Sequence, residues 1–295
     1  MKTLNRREFL GYAGGALAAT TLAQHRGAAV PIRHRATDVC AIGQTGLKST
    51  YLGIGTGIRG SSQSITELSM KLTGEQYVGL LQHAYERGIR YFDLADRYGS
   101  HHYMRLAMQR TIPREEVLLL SKVWSREADK VKIDLERMRA ELNTDCIDIV
   151  LMHCLRQGEE NWPETLRPAM DVLEDAKAKG HIKAHGVSCH ILPALERAAE
   201  EPWCDVVLAR INPFGKHMDG PVDVVVPILK RIRAEGKGLL GMKILGEGAP
   251  EVVARMDESL TFAADLGALD AMTIGFMSPD ELDEVMTRID AVAEA

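Results

Sequence analysis

The chain has 295 residues, 45% hydrophobic and 26% charged, which is enough apolar material for one large core; a single α/β barrel needs about 250 residues. Its formal net charge is -5, and no stretch gathers Lys and Arg into the footprint that a phosphate backbone requires, so composition argues against a nucleic-acid partner. Five cysteines, odd in number and without a C-x-x-C pair, point to neither a disulfide framework nor a zinc site, and no metal is expected.

The N-terminus differs from the rest. Asn5-Arg6-Arg7-Glu8-Phe9-Leu10 is followed by a weakly apolar, Gly/Ala-rich run from Gly11 to Ala23. Residues 1–29 therefore resemble a twin-arginine signal, with the Tat export machinery as its partner and the periplasm or beyond as its destination. The apolar run is 13 residues, too short for an ordinary membrane span. Membrane association is expected only if the signal stays uncleaved as a tether. Residues 30–38 read as a linker and 39–295 as the catalytic domain.

Cys40 to Leu47 places Gly43 and Gly46 around a polar Gln-Thr pair, as a hairpin turn does. Short apolar runs then alternate with amphipathic stretches. Strands are expected at Tyr51–Gly55, Tyr91–Asp93, Val117–Ser121, Ile147–His153, Ala184–Ser188, Val206–Arg210, Gly238–Lys243 and Ala271–Ile274. Helices are expected at Gly74–Arg87, Ala128–Leu142, Pro163–Lys179, Val222–Ala234 and Pro250–Ala264. Ser278 and Pro279 open one more. Eight strands alternating with helices predict a closed parallel (β/α)8 TIM barrel preceded by a short β-hairpin.

Reactive groups of such a barrel sit at the C-terminal strand ends. Four polar residues fall there: Asp93 ends the second strand, Tyr98 lies in the loop after it, Lys122 follows the third, and His153 follows the fourth. Singly, each has an ordinary explanation as a cap, packing, a solvated lysine or a core histidine. Together, in this order, they resemble the catalytic tetrad of the aldo-keto reductases. The run Phe92-Asp-Leu-Ala-Asp-Arg-Tyr-Gly99 matches that family's F-D-x-A-x-x-Y-G. The resemblance implies reduction of an aldehyde or ketone to an alcohol by hydride from NAD(P)H. A proton donor must then stand beside the carbonyl oxygen. Tyr98 is that donor, Lys122 lowers its pKa from about 10, Asp93 holds Lys122, and His153 orients the substrate. Trp124 is expected to wall the substrate site.

On the cofactor side, Leu52-Gly-Ile-Gly55-Thr56 resembles the family's opening motif, with Gly55 and Thr56 close to the nicotinamide. Ser188 and Cys189 occupy its G-V-S-N position; Cys for Asn is a departure, because a thiol bonds weakly. The family's Gln on the sixth strand is absent, leaving Arg210 or Asn212 as substitutes. Lys243 and Leu245 lie in a loop resembling one branch's pyrophosphate loop. Gly275 and Ser278 precede a helix whose N-terminus suits the adenosine phosphate. The Lys and Arg that many relatives use for the 2'-phosphate are absent there. NADP(H) is the family's default, with NAD(H) the alternative. His101 and His102 either line the pocket mouth or start a helix.

Two other readings compete with this one. A metal-dependent sugar isomerase needs several acidic strand-end ligands, and strands four, five and eight end in His153, Ser188 and Gly275. A non-enzymatic NAD(P)H-binding redox sensor or partner-binding barrel is kept alive by Cys189 and the missing Gln.

Overall fold

The computed structural model describes residues 32–57 and 72–295. The export segment expected at 1–29 lies outside the described residues.

Strands β1 (Val39–Ala41) and β2 (Lys48–Thr50) pair antiparallel as the expected hairpin. Its turn closes the N-terminal end of the barrel. Gly43 N donates to Asp270 at 2.9 Å, Gln44 N donates to the Gly236 carbonyl at 2.9 Å, and Ile42 is buried among the barrel's interior side chains.

The eight further strands are β3 (Leu52–Gly55), β4 (Tyr91–Asp93), β5 (Leu118–Val123), β6 (Ile147–Leu155), β7 (Ile182–Cys189), β8 (Val206–Arg210), β9 (Gly238–Met242) and β10 (Ala271–Ile274). Each pairs in parallel with the next, and β10 closes on β3 through Met272 beside Leu52 and Ile274 beside Ile54. Period-2 side chains divide the core into two layers. Tyr91, Leu118, Leu120, Ile149, Leu151, Leu208 and Leu240 fill the barrel. Phe92, Leu119, Val150, Val187 and Val207, the alternate positions, pack outward against the helices.

Among the described residues the helices are α1 (Gly74–Glu86), α2 (His101–Arg110), α3 (Ala128–Leu142), α4 (Trp162–Thr165), α5 (Arg167–Ala178), α6 (Leu192–Glu200), α7 (Val222–Ala234), α8 (Pro250–Val253), α9 (Met256–Asp265) and α10 (Pro279–Glu294). Two expected helices are each divided. The stretch from Pro163 breaks at Leu166, where Pro168 enters the first turn of α5 and has no N–H to continue α4. The stretch from Pro250 breaks at Arg255, which leaves helical geometry at φ -122°, ψ 38° and pairs with Glu258 at 2.6 Å. Gly186 marks the tightest strand contact. A Cβ there would lie 1.8 Å from the Val206 carbonyl oxygen, so β7 and β8 pair at this spacing only with glycine.

Candidate active site

The parallel barrel brings Asp93, Lys122 and His153 to one rim, because each ends or nearly ends its strand. Adjacent register, with Asp93 beside Leu120 and Lys122 beside Leu151, sets them side by side. Lys122 is 1% exposed and Asp93 5%, so the pair is fully desolvated. The Lys122 ammonium donates to the Asp93 carboxylate and, at 2.9 Å, to the Leu94 carbonyl. Two of its three N–H bonds are thus fixed. Its Nζ stands 4.9 Å from the centre of the Tyr98 ring. That ring lies flat over Gly57, where a Cβ would come within 2.5 Å of Tyr98 Cζ. His153 meets Tyr98 edge to face at 5.5 Å, and Trp124 meets His153 the same way, also at 5.5 Å.

Tyr98 departs from the expected direction. Burial, then the Asp93 carboxylate, hold its phenol well above the ordinary tyrosine value, and Cys154, Asp96 and Glu247 add to the effect. Burial leads these causes, and the Lys122 ammonium beside the ring does not reverse it. Burial lowers the Lys122 pKa, with Asp93 opposing. Burial also lowers that of His153, with Asp96 opposing. At neutral pH the site therefore holds a protonated phenol beside a neutral imidazole.

The Aldo/keto reductase family matches this chain over residues 52–254. The chain belongs to the aldo/keto reductase family. A D-threo-aldose 1-dehydrogenase from Pseudomonas sp is 22% identical over 284 residues, covering 85% of this chain and 79% of the relative. A methylglyoxal reductase, DkgA, from Salmonella typhimurium is 26% identical over 150 residues, covering 48% of this chain and 50% of its own. The fold agrees with a solved aldo-keto reductase from Pseudomonas aeruginosa, with TM-score 0.73 and 24% identity over 88% of this chain and 98% of that one. It also agrees with one from Bacillus halodurans in its holo form, with TM-score 0.68 and 14% identity over 86% and 91%. This aldo/keto reductase is an oxidoreductase, and the family's carbonyl chemistry depends on a nicotinamide cofactor.

Several features of the reductase's rim fit that cofactor. Gly55 ends β3, and a Cβ on it would meet Thr273 Oγ1 at 3.0 Å; that hydroxyl is buried and has no partner in the protein. Thr56 is buried and donates to the Asp93 carbonyl at 2.8 Å, so it buttresses the tetrad. Ser188 Oγ accepts the Cys154 N–H at 2.7 Å, which leaves its own proton free for a carboxamide oxygen. Cys189 lies apart. It is fully buried with the residues packed between barrel and helices, and burial pushes its thiol well above the ordinary range. Lys243 adopts φ 61° and pairs with Glu247 at 2.9 Å, while Leu245 packs half-buried beside it. Gly275 is exposed at the end of β10, and Ser278 caps α10 by accepting the Glu281 N–H at 3.2 Å.

The two substitutes considered for the missing Gln are both committed elsewhere. Asn212 donates to the Lys216 carbonyl at 2.7 Å and the Lys243 carbonyl at 3.1 Å, and its oxygen accepts Phe214 N and Lys216 N. Arg210 pairs with the buried Asp219 at 2.5 Å and donates to the His190 carbonyl at 2.8 Å. His101 starts α2 instead of lining the mouth. Its buried ring joins Ser121 at 2.9 Å and Glu141 at 2.7 Å.

Sequence reasoning passed over Asp96, a variable position of the F-D-x-A-x-x-Y-G run. Its carboxylate accepts the Trp124 N–H at 2.7 Å and faces His153 Nδ1 at 3.6 Å. It also passed over His190. Burial, then Arg210 and Lys243, hold His190 neutral down to about 2, and burial holds His185, stacked on Trp203, down to about 4. The unfolded chain protonates both near 6.5, so below that pH it binds two more protons than the folded chain and stability falls. Asp219, raised by burial to about 6, works the other way and offsets one of them. From these three groups the expectation is a loss of up to about 1.4 kcal/mol per pH unit between pH 6 and 4.5, and the burial-lowered His153 acts in the same direction. Urea unfolding at a series of pH values measures it; stability constant or rising over that interval would overturn the assignment.

Proposed function

We propose that this reductase converts an aldehyde or ketone to its alcohol with Tyr98 as the proton donor. The observation that carries the reading is the desolvated Lys122 and Asp93 pair beside a Tyr98 that also meets His153. When bound, the nicotinamide supplies the hydride. Tyr98 gives its proton to the carbonyl oxygen as negative charge grows there, which a phenol protonated at neutral pH is able to do. Lys122, held by Asp93, then faces the phenolate so formed and stabilises it. His153, bracketed by Tyr98 and Trp124, directs a ring N–H at the same oxygen. Trp124 walls the substrate.

We read the cofactor contacts as Gly55, Thr56, Ser188 and Lys243, with Leu245, Gly275 and Ser278 along the nucleotide and Cys189 only supporting the strand. At the adenosine end, α10 opens with Asp280 and Glu281, and the Glu281 carboxylate already accepts Met277 N at 2.7 Å. A second phosphate would meet these carboxylates and no Lys or Arg of that turn. This moves the reading from NADP(H) toward NAD(H). Titration with NADH and NADPH, followed by nicotinamide fluorescence, is expected to show NADH binding at least as tightly. NADPH binding tenfold tighter would sink it. Turnover of small aldehydes tests the reaction itself, and binding without turnover would favour a sensor. The relatives named for aldose oxidation and methylglyoxal reduction make small hydroxyaldehydes and oxoaldehydes sensible first substrates.

We also read residues 1–29 as a twin-arginine signal that delivers the folded protein to the periplasm or leaves it tethered to the membrane, supported by Arg6 and Arg7 ahead of the short apolar run. Cell fractionation tests this: Arg6→Lys with Arg7→Lys should retain the protein in the cytoplasm, and unchanged export would refute it.

A further inference from the structure

Most cations at the rim are matched by a carboxylate. Lys122 has Asp93, Arg126 has Glu159, Arg210 has Asp219, and Lys243 has Glu247. Arg97 and Arg156 differ. Neither guanidinium has a hydrogen-bond or carboxylate partner among the described residues. Glu159 is engaged by Arg126 and by the Arg156 backbone N–H, at 3.0 Å.

Both guanidiniums converge on the same side chain. Arg97 stands 4.2 Å and Arg156 4.8 Å from the centre of the Trp124 ring. Trp124 in turn touches His153. Arg97 directly precedes Tyr98 in the loop after β4, and Arg156 directly follows β6, the strand that carries His153. Stacking on an indole fixes the plane of a guanidinium and leaves its N–H edges free, the geometry that receives a carboxylate in bidentate fashion. The Trp124 backbone is held by Asp96 at its N–H and by Arg126 at its carbonyl, which fixes where the indole leaves the chain.

We propose that Arg97 and Arg156, held on Trp124, form an anion subsite beside the tetrad, so that the preferred substrate is an aldehyde or ketone bearing a carboxylate. The proposal rests on the reductase reading of the same site. The carbonyl would lie against Tyr98 and His153, and the carboxylate one ring's breadth away over Trp124. Unlike the tetrad, which treats every carbonyl alike, this subsite selects among them. Arg156 is exposed and Arg97 half-buried, so added salt should weaken it.

The test compares 4-carboxybenzaldehyde with benzaldehyde on the cofactor-supplied protein, with benzoate and benzyl alcohol as binding probes in calorimetry. We expect kcat/KM for the acid to exceed that for benzaldehyde by about tenfold or more, and the ratio to shrink as potassium chloride is raised. In Arg97→Gln/Arg156→Gln the ratio should fall close to one, and Arg97→Lys should restore part of it. Equal use of both aldehydes by the wild type, or a preference that survives the double substitution, overturns the subsite. If neither aldehyde is reduced, the reductase reading fails, and calorimetry still judges the subsite. Benzoate bound tighter than benzyl alcohol, with the difference lost in the double variant, supports it; equal or absent binding of both rejects it.

Discussion

Tyr98→Phe is expected to lower kcat/KM for aldehyde reduction by about 10²- to 10⁴-fold, the range spanned by loss of a positioned general acid. The substitution removes one hydroxyl from a ring whose packing over Gly57 and against His153 is unchanged. Fold and cofactor affinity should therefore survive. Steady-state kinetics with nicotinamide absorbance measures the first, and fluorescence titration the second. The loss should fall on kcat more than on KM, since the proton is needed as the oxyanion forms. A decrease smaller than tenfold would mean that another group donates the proton. His153, facing the Asp96 carboxylate at 3.6 Å, would then be the group to examine. His153→Gln should reduce activity less than Tyr98→Phe if Tyr98 is the donor.

Lys122→Met is expected to remove activity and to cost about 3–5 kcal/mol of stability, because it leaves the Asp93 carboxylate buried without its counter-ion. Asp93 is 5% exposed, and the lost ammonium also served the Leu94 carbonyl, which is left without that donor. Denaturant unfolding reads the stability change. Asp93→Asn combined with Lys122→Met removes both charges and should regain much of the loss while remaining inactive. That separation distinguishes a folding defect from a chemical one. If Lys122→Met unfolds at the wild-type denaturant concentration, the pair is not desolvated as described.

The sequence by itself determined the architecture. The short apolar runs of β4, β6, β8 and β10 and the 3.6-residue periodicity of α3 and α7 are local signals, and the observed bounds differ from the expected ones by at most a few residues. It also determined that Asp93, Lys122 and His153 would share a rim, because parallel strands of a closed barrel all end on one face. Short helices such as α6, with nine residues, gave too few turns to register periodicity.

Tertiary structure decided what those residues do to one another. The direction of the Tyr98 pKa is set by burial first and then by the nearby Asp93 carboxylate, neither of which strand order fixes. Asn212 was a plausible cofactor contact until the chain turned it onto the Lys216 and Lys243 carbonyls. Arg97 and Arg156 are separated by two strands and two helices in sequence, and only the parallel pairing of β4, β5 and β6 brings both guanidiniums to Trp124. Periodicity records which face of an element is buried. Electrostatics falls off over distances that only the folded chain defines, so the fold was legible in the residues and the charge balance of the site was not.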